Sequence, residues 1–433
     1  MSSVAIGLIG LALFLILLFT GIPVCYAMLF LGFAGTCVLR SPMAAFSMLN
    51  DSFTSNFSSY TTTVAPMFIL MGVIAGYSGV GSDLIKTANK FIGHKRGGLA
   101  MGVQPVCALF GAICGSVPAT LATIGKLSYP EMKALDYDDR MSTGALCAGS
   151  TLSILIPPSL CFIIYSMVTE ESVGKLFSSG IMVGIVLMVL YMIAVAIWVK
   201  VNPKAAPKLE RASWKERWQA LRGGGLIEIL IVFIISMGGL FAGYFTPTEA
   251  GAIGVAGIVV VTAITKTLNI KKFIASLKET MGMTVMIYIM LSAASVYGKF
   301  FSYTRIPYLL AGWVVSLGLS PFMVMFFITV IYLILGMLID ANALILLTIP
   351  IFYPVVTELG LSGIWFGSYI VLVTGMALMS PPVAVNTYIM SGISGVKLQK
   401  IFVGVIPFII CDFIMMILLV IFPQIATWLP SRL

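Results

Sequence analysis

The side chains able to do chemistry are few in this chain, and most fall in four stretches that are otherwise apolar. GSVPAT presents Gly115, Ser116 and Thr120, and GMLIDAN presents Gly336, Asp340 and Asn342. ILIPPSL sets Ser159 beside Pro157 and Pro158, with Ser150 just upstream; MSPPVAVN sets Ser380, Pro381, Pro382 and Asn386 after Thr374. Hydroxyls, a carboxylate and unwound backbone carbonyls are hard oxygen donors, which suit Na⁺ and not a transition metal. Gly115, Ser116, Thr120, Ser150, Gly336, Asp340, Thr374 and Ser380 are accordingly expected around Na⁺. Pro157, Pro158, Ser159, Pro381, Pro382 and Asn386 are expected around an anionic substrate, which half-helix N-termini can face. No catalytic group is expected, and no cofactor beyond Na⁺ as coupling ion. A single Ser or Thr in a membrane helix usually does no more than bond its neighbour. A carboxylate there is expensive and normally functional, which singles out Asp340.

The prolines dictate the elements that must position these groups. Proline removes a backbone donor and clashes with the preceding turn, so the apolar run through Ile154 to Leu160 cannot be one continuous helix. Two half-helices must meet at an unwound joint, tolerated in hydrocarbon only where it is buried in protein or lines a wet cavity. Met379 to Val385 repeats the device 224 residues later (381 minus 157), about half the chain. Broken helices at matching places in two halves point to the binding site of a secondary transporter. The stretches Leu99 to Met132 and Pro321 to Val356 each have two apolar arms around a polar tip, Gly115 to Thr120 and Gly336 to Asn342, and are expected to form re-entrant hairpins.

Composition excludes a soluble domain: 60% of residues are hydrophobic, 9% are charged, and the mean hydropathy is +1.08. Apolar runs of about 17 to 25 residues recur, each enough to cross about 30 Å of hydrocarbon as a helix. The expected class is an all-α polytopic membrane protein. The seven cysteines are odd in number, lie in apolar segments and form no C-x-x-C pair, so they are expected as small packing residues. The net charge of +9 is read as membrane orientation, not nucleic-acid binding.

In chain order, Val4 to Thr20 is a first span with no Lys or Arg before it, unlike a cleaved signal peptide. Gly21-Ile22-Pro23 turns into a second span ending near Val38, Arg40 to Thr63 is expected at the interface, and Val64 to Val80 is a third span. SDLIKTANKFIGHKR places Leu84, Ile85, Ala88, Phe91 and Ile92 on one helical face, an amphipathic helix suited to the membrane surface. The first hairpin (about 99–132), a broken helix (about 142–168) and a span from Val173 to Val199 follow. Counting the hairpin as none gives five crossings, so the next half starts on the opposite side. Lys200 to Arg222 is expected as a solvated basic connector within a linker at 200–225. The second half then runs through Leu226 to Phe245, Thr246-Pro247, a span to Thr265, a basic stretch (Lys266 to Lys278) and a span from Met281 to Val296. The second hairpin (about 321–356), second broken helix (about 366–392) and a last span from Ile401 to Phe422 complete it. Glu249 opens a helix and favours its N-terminus; Asp412 and Glu228 are expected to form structural pairs.

Pro23 and Pro247, Ser150 and Thr374, and Gly180 and Gly404 keep the same 224-residue offset as the double prolines. Residues 1–199 and 226–433 are therefore expected as inverted-topology repeats. With both termini periplasmic, twenty of the twenty-five Lys and Arg residues fall on the cytoplasmic side, leaving out Arg40, Lys175, Lys299, Arg305 and Arg432. Hairpins entering from opposite faces would meet near the midplane, an architecture for alternating access. The hairpins and broken helices, Leu99 to Ile164 and Pro321 to Met390, are expected to move as a unit. Arms after Val80 and near Lys299 to Gly312 would hold it at the surface.

GSVPATLATIGKLSYPEM, ILIPPSL, FTPTEAGAIGV, GMLIDANALILLTIPIFYPV and MSPPVAVNTYIMSGI, in that order, resemble signature stretches of the large membrane subunit of TRAP transporters, the tripartite ATP-independent periplasmic type. The resemblance implies an elevator-type, Na⁺-coupled importer of an organic acid, such as a dicarboxylate or sialic acid, in the bacterial inner membrane. It also implies a periplasmic substrate-binding protein and a small four-helix membrane subunit, expected here as a separate chain. Val117-Pro118 departs from the small residues expected at the first tip.

The main rival is a self-sufficient Na⁺/dicarboxylate symporter of the divalent-anion type, which dependence on a binding protein would separate. An intramembrane protease lacks its signatures, since Asp340 sits in GMLID and the sole His94 lies in a basic stretch. An ATP-driven pump is disfavoured because no G-x-x-x-x-G-K-[ST] loop occurs. A passive channel fits the composition, but inverted repeats favour alternating access.

Overall fold

Helix starts are marked by short polar caps in an otherwise apolar chain. Ser2, Ser41, Ser172, Ser320 and Ser362 each accept a first-turn amide through the side chain. The computed structural model describes residues 2–223, 226–382 and 384–433, and these contain no strand. Gly224 and Gly225 of the expected linker and Val383 of MSPPVAV lie outside the described residues.

Helices α1 (Ser3–Phe19) and α2 (Val24–Leu39) flank the expected turn. A 3₁₀ turn, Tyr60–Thr63, separates α3 (Pro42–Ser58) from α4 (Val64–Tyr77). Helix α5 (Val80–Ile92) leads to the hairpin arms α6 (Gly98–Cys114) and α7 (Val117–Ala134). The half-helices α8 (Asp139–Thr151) and α9 (Leu160–Thr169) and the long α10 (Val173–Val201) follow. Beyond α11 (Trp214–Arg222) come α12 (Leu226–Phe241), α13 (Pro247–Ile264), α14 (Ile270–Thr304) and α15 (Ile306–Ser316). The arms α16 (Pro321–Gly336) and α17 (Ala341–Glu358), the half-helices α18 (Gly363–Ala377) and α19 (Val385–Ser394), and α20 (Leu398–Ile421) complete the order. Val117 and Ala341, and Asp139 and Gly363, open helices at one spacing of 224 residues.

Among the described residues, six segments are each long and apolar enough to cross a bilayer: α10, α13, α14, α17, α20 and α4 with its leading turn. The helices α6 and α16 are apolar but shorter. Helices α2, α4, α13 and α14 pack together, while α9 packs on α17 and α7 on α19, tying each hairpin to the other half's broken helix. Helices α8 and α20 cross backbone to backbone: a Cβ on Gly144 would stand 2.1 Å from the Gly404 carbonyl oxygen.

Three expectations change, and the stretch expected at the interface gains a defined structure. The basic stretch to Lys278 and the span from Met281 belong to one continuous helix, α14, because neither Pro nor a polar breaker separates them. Arg40 to Thr63 is mostly the helix α3, opened by Ser41 and Pro42. Lys299 belongs to α14, and the second arm begins only beyond Arg305, whose φ of +61° ends that helix. The connector is not merely solvated. Ser213 and Glu216 form a capping box on α11, and Arg217 Nε donates to the Lys90 carbonyl at 3.2 Å while its guanidinium stacks on Phe91 and Trp214. Thr87 Oγ1 adds a bond to the Ala220 carbonyl, so α11 docks on α5.

Glu249 forms a capping box with Thr246, its carboxylate accepting from the Thr246 backbone amide at 2.8 Å. Glu228 is exposed and makes no ion pair among the described residues, so its expected pairing is not found. Asp412 does pair, accepting a 2.6 Å bond from the Tyr191 hydroxyl. All seven cysteines are free.

Candidate functional site

Each hairpin tip is a helix stop followed at once by a helix start. Gly115 ends α6 in the left-handed region at φ +61°, where a β-carbon is strained, and its amide bonds back to Gly111. Ser116 then caps α7, and Pro118 sits in the first turn, where its missing N–H costs nothing. The departure Val117-Pro118 is thus a helix opening, not part of the tip. In the second hairpin Asp340 caps α17, its Oδ1 accepting from the Asn342 and Ala343 amides at 3.0 and 3.3 Å.

The double prolines interrupt their helices as expected. Described residues between Thr151 and Leu160 form a short 3₁₀ turn and an irregular joint, and those between Ala377 and Val385 are likewise non-helical. Ser159 caps α9 while donating to the Ile154 carbonyl at 2.5 Å, a bond that spans the joint. The Pro158 carbonyl would stand 3.2 Å from a Cβ on Gly115, so the first tip sits against the first joint.

Both tips and both joints meet at one cavity of about 240 Å³. Gly115 and Ser116 line it from the first hairpin, and Asp340 and Asn342 from the second. Leu160 and Val385, the first residues of α9 and α19, also reach it. Four helix N-termini, those of α7, α9, α17 and α19, therefore border one space, an arrangement that favours negative charge. A second cavity of about 250 Å³ adjoins it, sharing Ser116 and Met283 and bordered by Tyr77 and Glu279, whose side chains are hydrogen-bonded at 3.0 Å.

The other expected residues sit outside the cavity lining. Thr120 contacts the Cys114 thiol at 3.0 Å. Gly336 faces Ala377, where a Cβ would approach to 2.6 Å, so its place is a packing contact. Ser150 and Asn386, from opposite halves, are joined by a 3.4 Å bond with both residues fully buried. Asn386 Oδ1 and Thr374 Oγ1 are buried without a protein partner among the described residues. Ser380 donates to the Met376 carbonyl. Pro157 and Pro158 are buried, whereas Pro381 and Pro382 are exposed.

Sequence reasoning missed one wall. Met283, Met286, Ile287 and Met290 of α14 line the cavity together with the tips. Their spacing of three, four and seven residues is a helical stripe, a signal present in the sequence but shared with any packed helix. Cys161, read as packing, also lines the cavity, its thiol 3.6 Å from Asn342 Oδ1. Tyr191 links Thr151 on α8 to Asp412 on α20; Asp412 is 1% exposed and its Oδ2 has no protein partner among the described residues.

Residues 11–425 match the family described as the DctM component of the tripartite ATP-independent periplasmic transporters. The C4-dicarboxylate TRAP transporter large permease protein DctM of Pseudomonas aeruginosa is 33% identical over 93% of this chain and 94% of its own length. The sialic acid TRAP transporter large permease protein SiaM of Vibrio cholerae is 28% identical over 96% of each. Among solved structures, Neisseria gonorrhoeae MtrF, placed in a class of antimetabolite efflux pumps, superposes with a TM-score of 0.59 over 90% of this chain and 85% of that one. At 14% identity that likeness concerns the fold alone.

Proposed function

The chain belongs to the DctM family of tripartite ATP-independent periplasmic transporters, and from that premise we propose that it is the large transmembrane subunit of a Na⁺-coupled importer of an organic acid. It is a multi-pass inner-membrane transport protein and not an enzyme. The observation that carries the proposal is the meeting of both hairpin tips and both broken-helix joints at one cavity. Oxygen donors there, Asp340 foremost, suit Na⁺, and the four helix N-termini suit a carboxylate.

In this reading the halves at 1–199 and 226–433 are inverted repeats, with both termini periplasmic. Residues 99–164 and 321–390 form a moving unit. Helices α2, α4, α13 and α14 form the scaffold, and α5 and α15 are its arms. The position of the cavity supports this, since α14 lines it together with the hairpins and joints. A small membrane subunit and a periplasmic binding protein complete the transporter.

The test is uptake into vesicles carrying the complete complex. Import should require inward Na⁺ and the binding protein, without ATP. Equal import with K⁺ replacing Na⁺ would sink the coupling; saturable uptake by this chain alone would favour a self-sufficient symporter.

A further inference from the structure

We infer that the cargo of the central cavity is a small monocarboxylate with an apolar tail, not a dicarboxylate or a sugar acid. The inference rests on the proposed transport reading and deepens it. The cavity is lined by two unlike groups of residues, from different helices. In one, the N-termini of α7, α9, α17 and α19 gather with Asp340 and Asn342. In the other are Met283, Met286, Ile287 and Met290, three thioethers and an aliphatic side chain on one face of α14.

No Lys, Arg or His is among the described residues lining this cavity or the adjoining one; their charged groups are Asp340 and Glu279. One carboxylate can be met by helix N-termini and by a cation held at Asp340. A second carboxylate at the far end of the same molecule would lie against the α14 residues with no donor and no counter-charge there to replace the water it displaces. A polyhydroxylated acid fails for a related reason, because each hydroxyl turned to those residues would lose its water partners without replacement. An apolar tail gains from the same surface, since thioethers adapt to irregular shapes. At about 240 Å³ the space is below the range typical of drug-sized ligands, which agrees with a small cargo.

The test uses three probes: 4-methyl-2-oxopentanoate and 2-oxoglutarate, which share a 2-oxo acid head and differ in the tail, and N-acetylneuraminate as the sugar acid. Binding is read on the purified full chain in nanodiscs, with its small subunit where the two copurify, in Na⁺ and in K⁺. In Na⁺ the apolar-tailed probe should bind at least about tenfold more tightly. Met286→Arg places a guanidinium on the wall and should narrow or reverse the preference, whereas Met281→Arg, on the same helix but outside both cavity linings and 66% exposed, should keep the wild-type order. Met286 is 54% exposed, so neither change empties a core position. Equal or tighter binding of 2-oxoglutarate or N-acetylneuraminate by the wild type, or binding of neither 2-oxo acid, would overturn the proposal. A tail preference that persists unchanged in K⁺ would support the cargo class and overturn the Na⁺ reading alone.

Discussion

The two hairpins place different chemistry at equivalent points. Ser116 and Asp340 stand 224 residues apart, and each caps the helix that follows and lines the same cavity. One is a neutral hydroxyl, the other a carboxylate whose Oδ2 is left over after Oδ1 has capped the helix. Equivalent backbone roles therefore do not make equivalent sites: the second hairpin can hold a cation by charge, the first only by neutral oxygens.

The largest expected effect lies in that asymmetry. Asp340→Asn keeps a capping side chain but loses the charge, and should raise the Na⁺ concentration for half-maximal uptake about a hundredfold, roughly 2.7 kcal/mol. A wild-type Na⁺ activation curve in this variant would erase the distinction between the hairpins. Next comes a buried network centred on Tyr191 of the first half, with no tyrosine at the equivalent place in the second. Tyr191→Phe leaves Asp412 without its bond, whereas the equivalent place in the second half is the buried Met415. The change should cost about 2 kcal/mol of stability, read by thermal unfolding in detergent, because a buried acceptor is orphaned.

The hairpins also differ in how tightly they meet the scaffold. A Cβ on Gly72 of α4 would stand 2.2 Å from the Ile113 carbonyl oxygen in the first hairpin, but one on Gly298 of α14 would lie 3.8 Å from Pro350 in the second. Gly72→Ala should thus cost about 1 to 2 kcal/mol through overpacking and slow transport, while Gly298→Ala should be neutral or slightly stabilising. Thermal unfolding and initial uptake rates, compared between the two variants, test this. Ser116→Ala should lose about 1 kcal/mol of capping and shift Na⁺ activation less than threefold, far below the shift of Asp340→Asn. The smallest effect concerns α11. The Ser213 backbone amide, and then Lys90, hold the Glu216 carboxyl below its usual range. The docking stability this gives is therefore present above the ordinary glutamate pKa and lost as pH falls through the lowered folded value. Fluorescence of Trp214 and Trp218 should report loosening of α11 only in that acid range, and an unchanged signal there would remove the charge from the docking account.

Much of this was legible in the chain because its causes are local. Pro157, Pro158, Pro381 and Pro382 break helices wherever they stand, and Gly115, Ser116 and Asp340 stop and start helices within a turn. The continuity of α14 was missed because a run of lysines resembles a boundary, although Lys271, Lys272 and Lys278 are good helix formers and nothing there interrupts the ladder. At the equivalent place in the first half, Pro66 lacks a donor, and the Thr62 hydroxyl bonds the Asn56 and Ser59 carbonyls in a 3₁₀ turn, so α3 and α4 stay separate. The docking of α11 was missed for another reason: an Arg counted as charge gives no hint that its stem and plane will lie on Phe91.

The sequence by itself determined that the chain is a helical membrane protein, where its helices break, which residues cap the breaks, and that Asp340 is the carboxylate to weigh most. Those outcomes follow from apolar run length, proline geometry and capping, each acting within a few residues. Only the tertiary structure decided that Ser116 and Asp340 share one cavity, that Ser150 pairs with Asn386, that Gly336 is a packing contact, and that a methionine-rich face of α14 lines the cavity together with the tips. Those outcomes depend on which helix faces pack together across gaps of up to 236 residues, and an apolar stripe does not name its partner until the whole bundle has closed.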